Sequence, residues 1–253
     1  AFFLRNAQLD RVAAAVAGAR WGLIVVAIAV TILSYVMRVV RWRYLLRPVG
    51  QVRFSTAFRA TVMGFAATAL VPGRLGEVVR PYVLARKEDL SASSAFATIV
   101  VERLLDMSSV MLIFLLTLGF DSPVRSEESG NIFRTLEWAA VSVLVIAVSL
   151  LMVASVAALK PALVELYVLK LGRLISSRLA NALARMSKQF AGGFGILHKK
   201  SDLVVVAAWS FVLWASLGAS VWLVTVAFGI EIPGTGVATL LALVSFGVVV
   251  PTP

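Results

Sequence analysis

The 253-residue chain has no cysteine and a single histidine. Without thiols there is no disulfide framework, no thiolate nucleophile and no thiolate metal site. His198 stands beside Lys199 and Lys200 with no second imidazole to complete a transition-metal site, so it reads as a solvated side chain. Charge is scarce as well: Asp, Glu, Lys and Arg make up 15% of the residues, where a soluble domain carries about a quarter. Acids are the scarcer sign, 13 against 24 Lys and Arg, for a formal net charge of +11. No Gly-rich P-loop is present, which argues against direct ATP hydrolysis. The opening Ala1-Phe2-Phe3-Leu4 lacks the basic start and small-residue cleavage site of a signal peptide.

What is abundant is apolar sequence. Hydrophobic residues make up 60% and the mean hydropathy is +0.94, values that exclude both an ordinary soluble globule and a disordered chain. An excess of +11 would point to nucleic acid in a soluble protein, but here it is read first against a bilayer, and no nucleic-acid partner is expected. Both ends fall inside apolar sequence, so residues 1–253 read as a single transmembrane domain cut from a longer chain.

A bilayer core needs roughly 20 apolar residues as helix. Four stretches meet that, at about 21–40, 95–119, 137–159 and 203–228, and two shorter ones, 54–71 and 237–253, each run into proline. Lys and Arg counts orient them. The connection 38–53 holds Arg38, Arg41, Arg43, Arg47 and Arg53 without an acid, and 160–202 holds eight Lys and Arg against Glu165 and Asp202, so both are expected on the cytoplasmic side. The more acidic 120–136 and the short 229–236 are expected outside. On this count 54–71 has no room to cross. The pattern predicts a re-entrant hairpin over 54–84 with Pro72-Gly73 at its tip, and the start of a second re-entrant segment at 237–253, broken at Pro251 and Pro253. Broken segments entering from opposite faces predict an all-α, polytopic membrane fold with an inverted repeat. The stretch 160–202, with leucines at helical spacing among Lys and Arg and an interruption at Gly192-Gly193, reads as an amphipathic linker at the inner interface. Trp21, Trp42 and Trp138 read as interfacial anchors.

Two constellations interrupt the apolar runs. In Pro72-Gly73-Arg74-Leu75-Gly76-Glu77-Val78-Val79-Arg80, the charged residues recur every third position, which on a helix lets Glu77 pair with Arg74 or Arg80. A helix starting at Pro72-Gly73 would turn unpaired N–H groups toward the break, an arrangement that attracts anions. In Glu102-Arg103-Leu104-Leu105-Asp106, two acids share a face at i, i+4 and Arg103 reaches Asp106 at i, i+3. One such residue at a helix centre costs about 2.5 to 3.5 kcal/mol on insertion scales, so three in five positions require a polar interior. Arg74 and Arg80 are expected to contact an anionic head group, with Glu77, Glu102 and Asp106 positioning them or exchanging protons. The formal charges of these six residues cancel, which also fits a closed ion-pair network with a purely structural role.

The motif at Pro72, Arg74, Gly76, Glu77 and Arg80, followed by Glu102, Arg103 and Asp106, resembles the lysylphosphatidylglycerol synthase transmembrane-region family, a flippase-like group that includes UPF0104-type proteins; Arg41-Trp42-Arg43-Tyr44-Leu45-Leu46 is similar to the exit of the family's early span. The resemblance implies a multi-pass protein of the bacterial inner membrane that moves a lipid between leaflets. Some members carry a soluble aminoacyl-transfer domain; residues 1–253 hold none, so synthase activity is not carried over. The expectation is a flippase or lipid transporter, not an enzyme, without cofactor or metal, handling an anionic or aminoacylated phospholipid or a polyprenyl-type lipid. An integral-membrane lipid transferase and a non-catalytic scaffold are the alternatives, and a homodimer stays open.

Overall fold

A computed structural model describes residues 9–70, 75–120, 127–172 and 176–249, and every regular element among them is helical. Pro72, Gly73, Arg74, Pro251 and Pro253, to which the sequence assigns the two breaks, lie outside the described residues. In chain order the helices are α1 Leu9–Ala17, α2 Trp21–Leu46, α3 Phe54–Leu70, α4 Gly76–Glu88, α5 Ala92–Phe120, α6 Glu127–Leu159, α7 Pro161–Gly172, α8 Ser177–Gly193, α9 Lys200–Ala227 and α10 Gly234–Val249, with one 3-10 turn at Gly195–His198.

Among the described residues, three segments are long and apolar enough to cross a membrane by length and composition: Trp21–Leu46, Arg134–Leu159 and Lys200–Ala227. Large apolar side chains stand outward along them, among them Val25, Ile32, Val153 and Val204. Such a surface would drive a soluble protein to aggregate and is what lipid requires. The chain is an all-α, multi-pass membrane protein.

The expected span 21–40 is longer in the structure, because α2 continues through Arg41 and Arg43 to Leu46. Residues 38–46 are therefore helix and not connecting loop. Arginine is a good helix former, and the loop begins only at Arg47, ahead of Pro48 and Gly50. Hydropathy alone ends the span at the first cations and misses this extension.

Helices α2 and α9 run antiparallel along their whole length. Arg20 N–H bonds Ala227 O at one end, Ser220 Oγ bonds Ala27 O midway, Arg41 reaches Ser210, and Arg47 meets Asp202 at the far end. Serine at the seam lets two backbones approach closely, as small residues do between membrane helices. Helix α5 is the hub, packing on α2, α4, α6, α8, α9 and α10. It is 29 residues long but carries Glu102, Arg103 and Asp106, and this position among neighbours is what lets it do so. Two apolar clusters flank its charged middle, one around Trp42, Leu45, Leu84 and Val101, the other around Val110, Met111, Phe114 and Leu241.

Helices α3 and α4 form an antiparallel hairpin. Arg53 and Glu88 meet at its open end at 3.2 Å, and Gly64 faces Gly76 and Arg80 near its closed end. A Cβ on Gly76 would lie 1.9 Å from Gly64 O and 2.1 Å from Thr68 Oγ1. Only a residue without a side chain fits there. Basic Arg86 and Lys87 occupy the last turn of α4, where they complement the helix dipole, and Asp89 ends it in the left-handed conformation at φ 52°. In the stretch 160–202, α7 opens on Pro161 and α8 closes at Gly193. Gly193 lets α8 press on α5, since a Cβ there would stand 2.3 Å from Ser94 O.

Candidate functional site: a buried ion network

Four helices bring their polar residues to one point in the bundle. Helix α5 supplies Glu102 and Asp106 one turn apart on one face, both buried. Helix α2 answers with Arg41, roughly one and a half turns from its end and 1% exposed. Its Nη2 donates to Glu102 Oε1 at 2.9 Å and to Asp106 Oδ2 at 3.3 Å, while Nη1 donates to Asp106 Oδ1 and, at 2.8 Å, to Ser210 Oγ of α9. Trp214, one turn beyond Ser210, donates its indole N–H to Asp106 Oδ1 at 3.0 Å.

From α4, Arg80 Nη1 donates to Glu102 Oε1 at 3.0 Å. Its guanidinium lies 3.9 Å from the ring centroid of Trp42, whose own N–H bonds Thr98 Oγ1 at 3.0 Å. A desolvated cation over an indole face is the more favourable form of that contact, on the order of 2 kcal/mol. Trp42 is fully buried; it is a platform for Arg80 and not the interfacial anchor its place near the helix end suggests. Trp21 and Trp138 are exposed as that expectation requires.

Arg103 is held differently. It approaches Glu77, Glu102 and Asp106 at 3.8 Å each, beyond hydrogen-bond length, and its side chain is 28% exposed. Glu77 thus pairs across to α5 and not with Arg80 along its own helix. Arg38, one turn before Arg41, is half-buried, with its guanidinium 5.6 Å from the Phe65 ring and no ion-pair partner among the described residues. Three arginines therefore face three acids, and Arg38 adds one positive charge. Among the described residues, several buried polar atoms find no hydrogen-bond partner: Arg41 Nε, Arg80 Nε and Nη2, Glu102 Oε2 and Arg103 Nε. Native interiors leave few such atoms, and here they gather in one network.

Of the residues that the sequence singles out, the structure brings together Glu77, Arg80, Glu102, Arg103 and Asp106. Gly76 adjoins them as a packing residue that lets α4 touch α3. Sequence reasoning passes over Arg41, Arg38, Ser210 and Trp214. The charge count places Arg41 in a connection that only reports orientation; in the structure it is the centre of the network. The signal was present in Arg38-x-x-Arg41 at the edge of an apolar run, and in Ser210 and Trp214 at i, i+4 within another.

The whole chain, residues 1–253, matches the family model described as the lysylphosphatidylglycerol synthase TM region. The chain belongs to that family. A UPF0104 membrane protein of Methanocaldococcus jannaschii is similar to it, 29% identical over 100 residues that cover 38% of this chain and 30% of that relative. The matched region thus spans less than a third of the relative's length. No solved structure matches.

Proposed function

We propose that this member of the family carries a lipid with an anionic head group between leaflets, and that the head group is received on the Arg103 and Arg38 side of the ion network. The observation that carries the reading is the unequal state of the arginines. Among the described residues, Arg41 and Arg80 are bonded and buried, whereas Arg103 is partly accessible and its acid partners stand no nearer than 3.8 Å. In a membrane interior, ionisable residues are by default functional candidates, and a cation without a short partner has donors to offer a phosphate or carboxylate. The hairpin α3–α4 is taken as re-entrant, its arms being about 25 and 20 Å long against a core of about 30 Å, with α10 opening a second such segment in an inverted repeat. Residues 38–53 and 160–202 face the cytoplasm in this reading, the membrane is the bacterial inner membrane, and the protein acts without a catalytic step. The lipid class is an anionic or aminoacylated phospholipid or a polyprenyl-type lipid.

A scaffold role is favoured by one observation, the balance of three arginines against three acids. Reconstitution separates the two. In vesicles containing a fluorescent anionic phospholipid, Arg103→Gln and Arg74→Gln are expected to slow translocation at least tenfold while the unfolding temperature stays within about 3 °C of the parent. Translocation at the parent rate in both folded variants would overturn the transport reading and favour the scaffold.

A further inference from the structure

A second cationic site lies outside the ion network, where the loop from Arg47 to Arg53 joins α2 to α3. The loop borders a cavity of ≈ 870 Å³ with Arg43, Tyr44, Arg47, Gln51 and Arg53 in its walls. That volume is in the range of small-molecule sites, roughly 300 to 1,000 Å³. Arg43 follows Arg41 by two residues, about 200° around the helix, so it faces away from the buried network.

Among the described residues, the contacts of these three guanidinium groups engage only part of each donor set. Arg43 Nε donates to Val52 O at 2.9 Å. Arg47 lies 3.9 Å from the Tyr44 ring centroid, and its acid partner Asp202, at 3.6 Å, is shared with Lys199 at 3.3 Å. Arg53 Nε donates to Glu88 at 3.2 Å. Burial alone would raise the pKa of Glu88, but bonds from Thr56 and Arg53 and the charge of Arg53 outweigh it and hold the carboxyl below its ordinary range. Glu88 is therefore an anion at neutral pH. In these contacts four cations, Arg43, Arg47, Arg53 and Lys199, meet two acids, Asp202 and Glu88, an excess of two positive charges around the loop.

We propose that this cavity binds a phosphoryl group, with Arg43 and Arg47 as its bidentate donors. A phosphate monoester carries about −1.5 to −2 charge at pH 7, which matches the uncompensated charge. Arginine forks pre-set by an aromatic face and a carbonyl lose less freedom on binding than free lysines would. The phosphate comes either from a lipid head group at the membrane surface or from a soluble phosphate.

The test uses the full chain in phosphatidylcholine nanodiscs. One arm adds phosphatidic acid to the nanodisc and counts co-retained lipid by native mass spectrometry. The other adds inorganic phosphate to neutral nanodiscs at constant ionic strength and follows the unfolding temperature, with chloride as reference. Arg43→Gln/Arg47→Gln is expected to cut phosphatidic acid retention at least tenfold or to abolish the phosphate-induced rise, whereas Lys170→Gln, elsewhere on the chain, leaves both unchanged. Response in the lipid arm assigns the head group, and response in the phosphate arm assigns the soluble ligand. No response in either arm, or equal responses of parent and double variant, overturns the proposal. Should the double variant lose helicity, Arg47→Gln alone, whose side chain is 53% exposed, is expected to lose about threefold, and no loss there is equally decisive.

Discussion

Arg41 and Arg103 make the contrast between a structural and a working charge measurable. Arg41 compensates two buried carboxylates at once, so its removal leaves Glu102 with Arg80 and Arg103 and leaves Asp106 with only Trp214 and a distant Arg103. Breaking a buried pair from one side costs about 3 to 5 kcal/mol. Arg41→Met is expected to destabilise the protein by about that amount in reversible unfolding in mixed micelles. Arg103→Gln, which removes only long and partly solvated contacts, is expected to cost below about 1 kcal/mol. Equal losses for the two would mean that the ion network is uniform and that Arg103 has no special standing. Most of the network was readable from the sequence, because acids and arginines inside apolar runs have few other ways to persist. Arg41 was not, because a cation at the end of an apolar run looks the same whether it meets water or an acid on another helix.

At the scale of elements, the hairpin depends on the absence of two side chains. Gly64 and Gly76 let the arms of α3 and α4 touch, and through that contact Arg80 is aimed at Glu102. Inserting methylenes into a packed contact costs typically about 1 to 3 kcal/mol. Gly76→Ala is expected to lower stability by about that amount and to widen the α3–α4 separation, measured by spin-label distances between the arms. Gly119→Ala is the control, since nothing lies within 4 Å of a Cβ at that position, and alanine there gains up to about 1 kcal/mol of helix propensity. An unchanged distance and stability in Gly76→Ala would refute the role of the glycine contact. The sequence signals a break near Pro72, yet the requirement for glycine at 76 belongs to the partner helix. No periodicity within 76–88 contains it.

At the scale of the molecule, antiparallel pairing of α2 with α9 places Arg47 and Asp202 at one end and Arg20 and Ala227 at the other. Because the chain has no cysteine, single cysteines report sidedness without background. With the basic end inside, Gln51→Cys is expected to react with an impermeant maleimide only after cells are opened, and Glu231→Cys to react in intact cells. Both residues are exposed. Labelling of both from the same side would overturn this topology.

Composition and hydropathy by themselves determined that the chain is a helical membrane protein and that Glu102, Arg103 and Asp106 need polar company, because the cost of burying backbone and charge in hydrocarbon acts on local sequence. The partners of those charges were decided only by tertiary structure. Arg41, Arg80, Ser210 and Trp214 come from three other helices, and an ion pair is set by the few ångströms between side chains and not by their spacing along the chain.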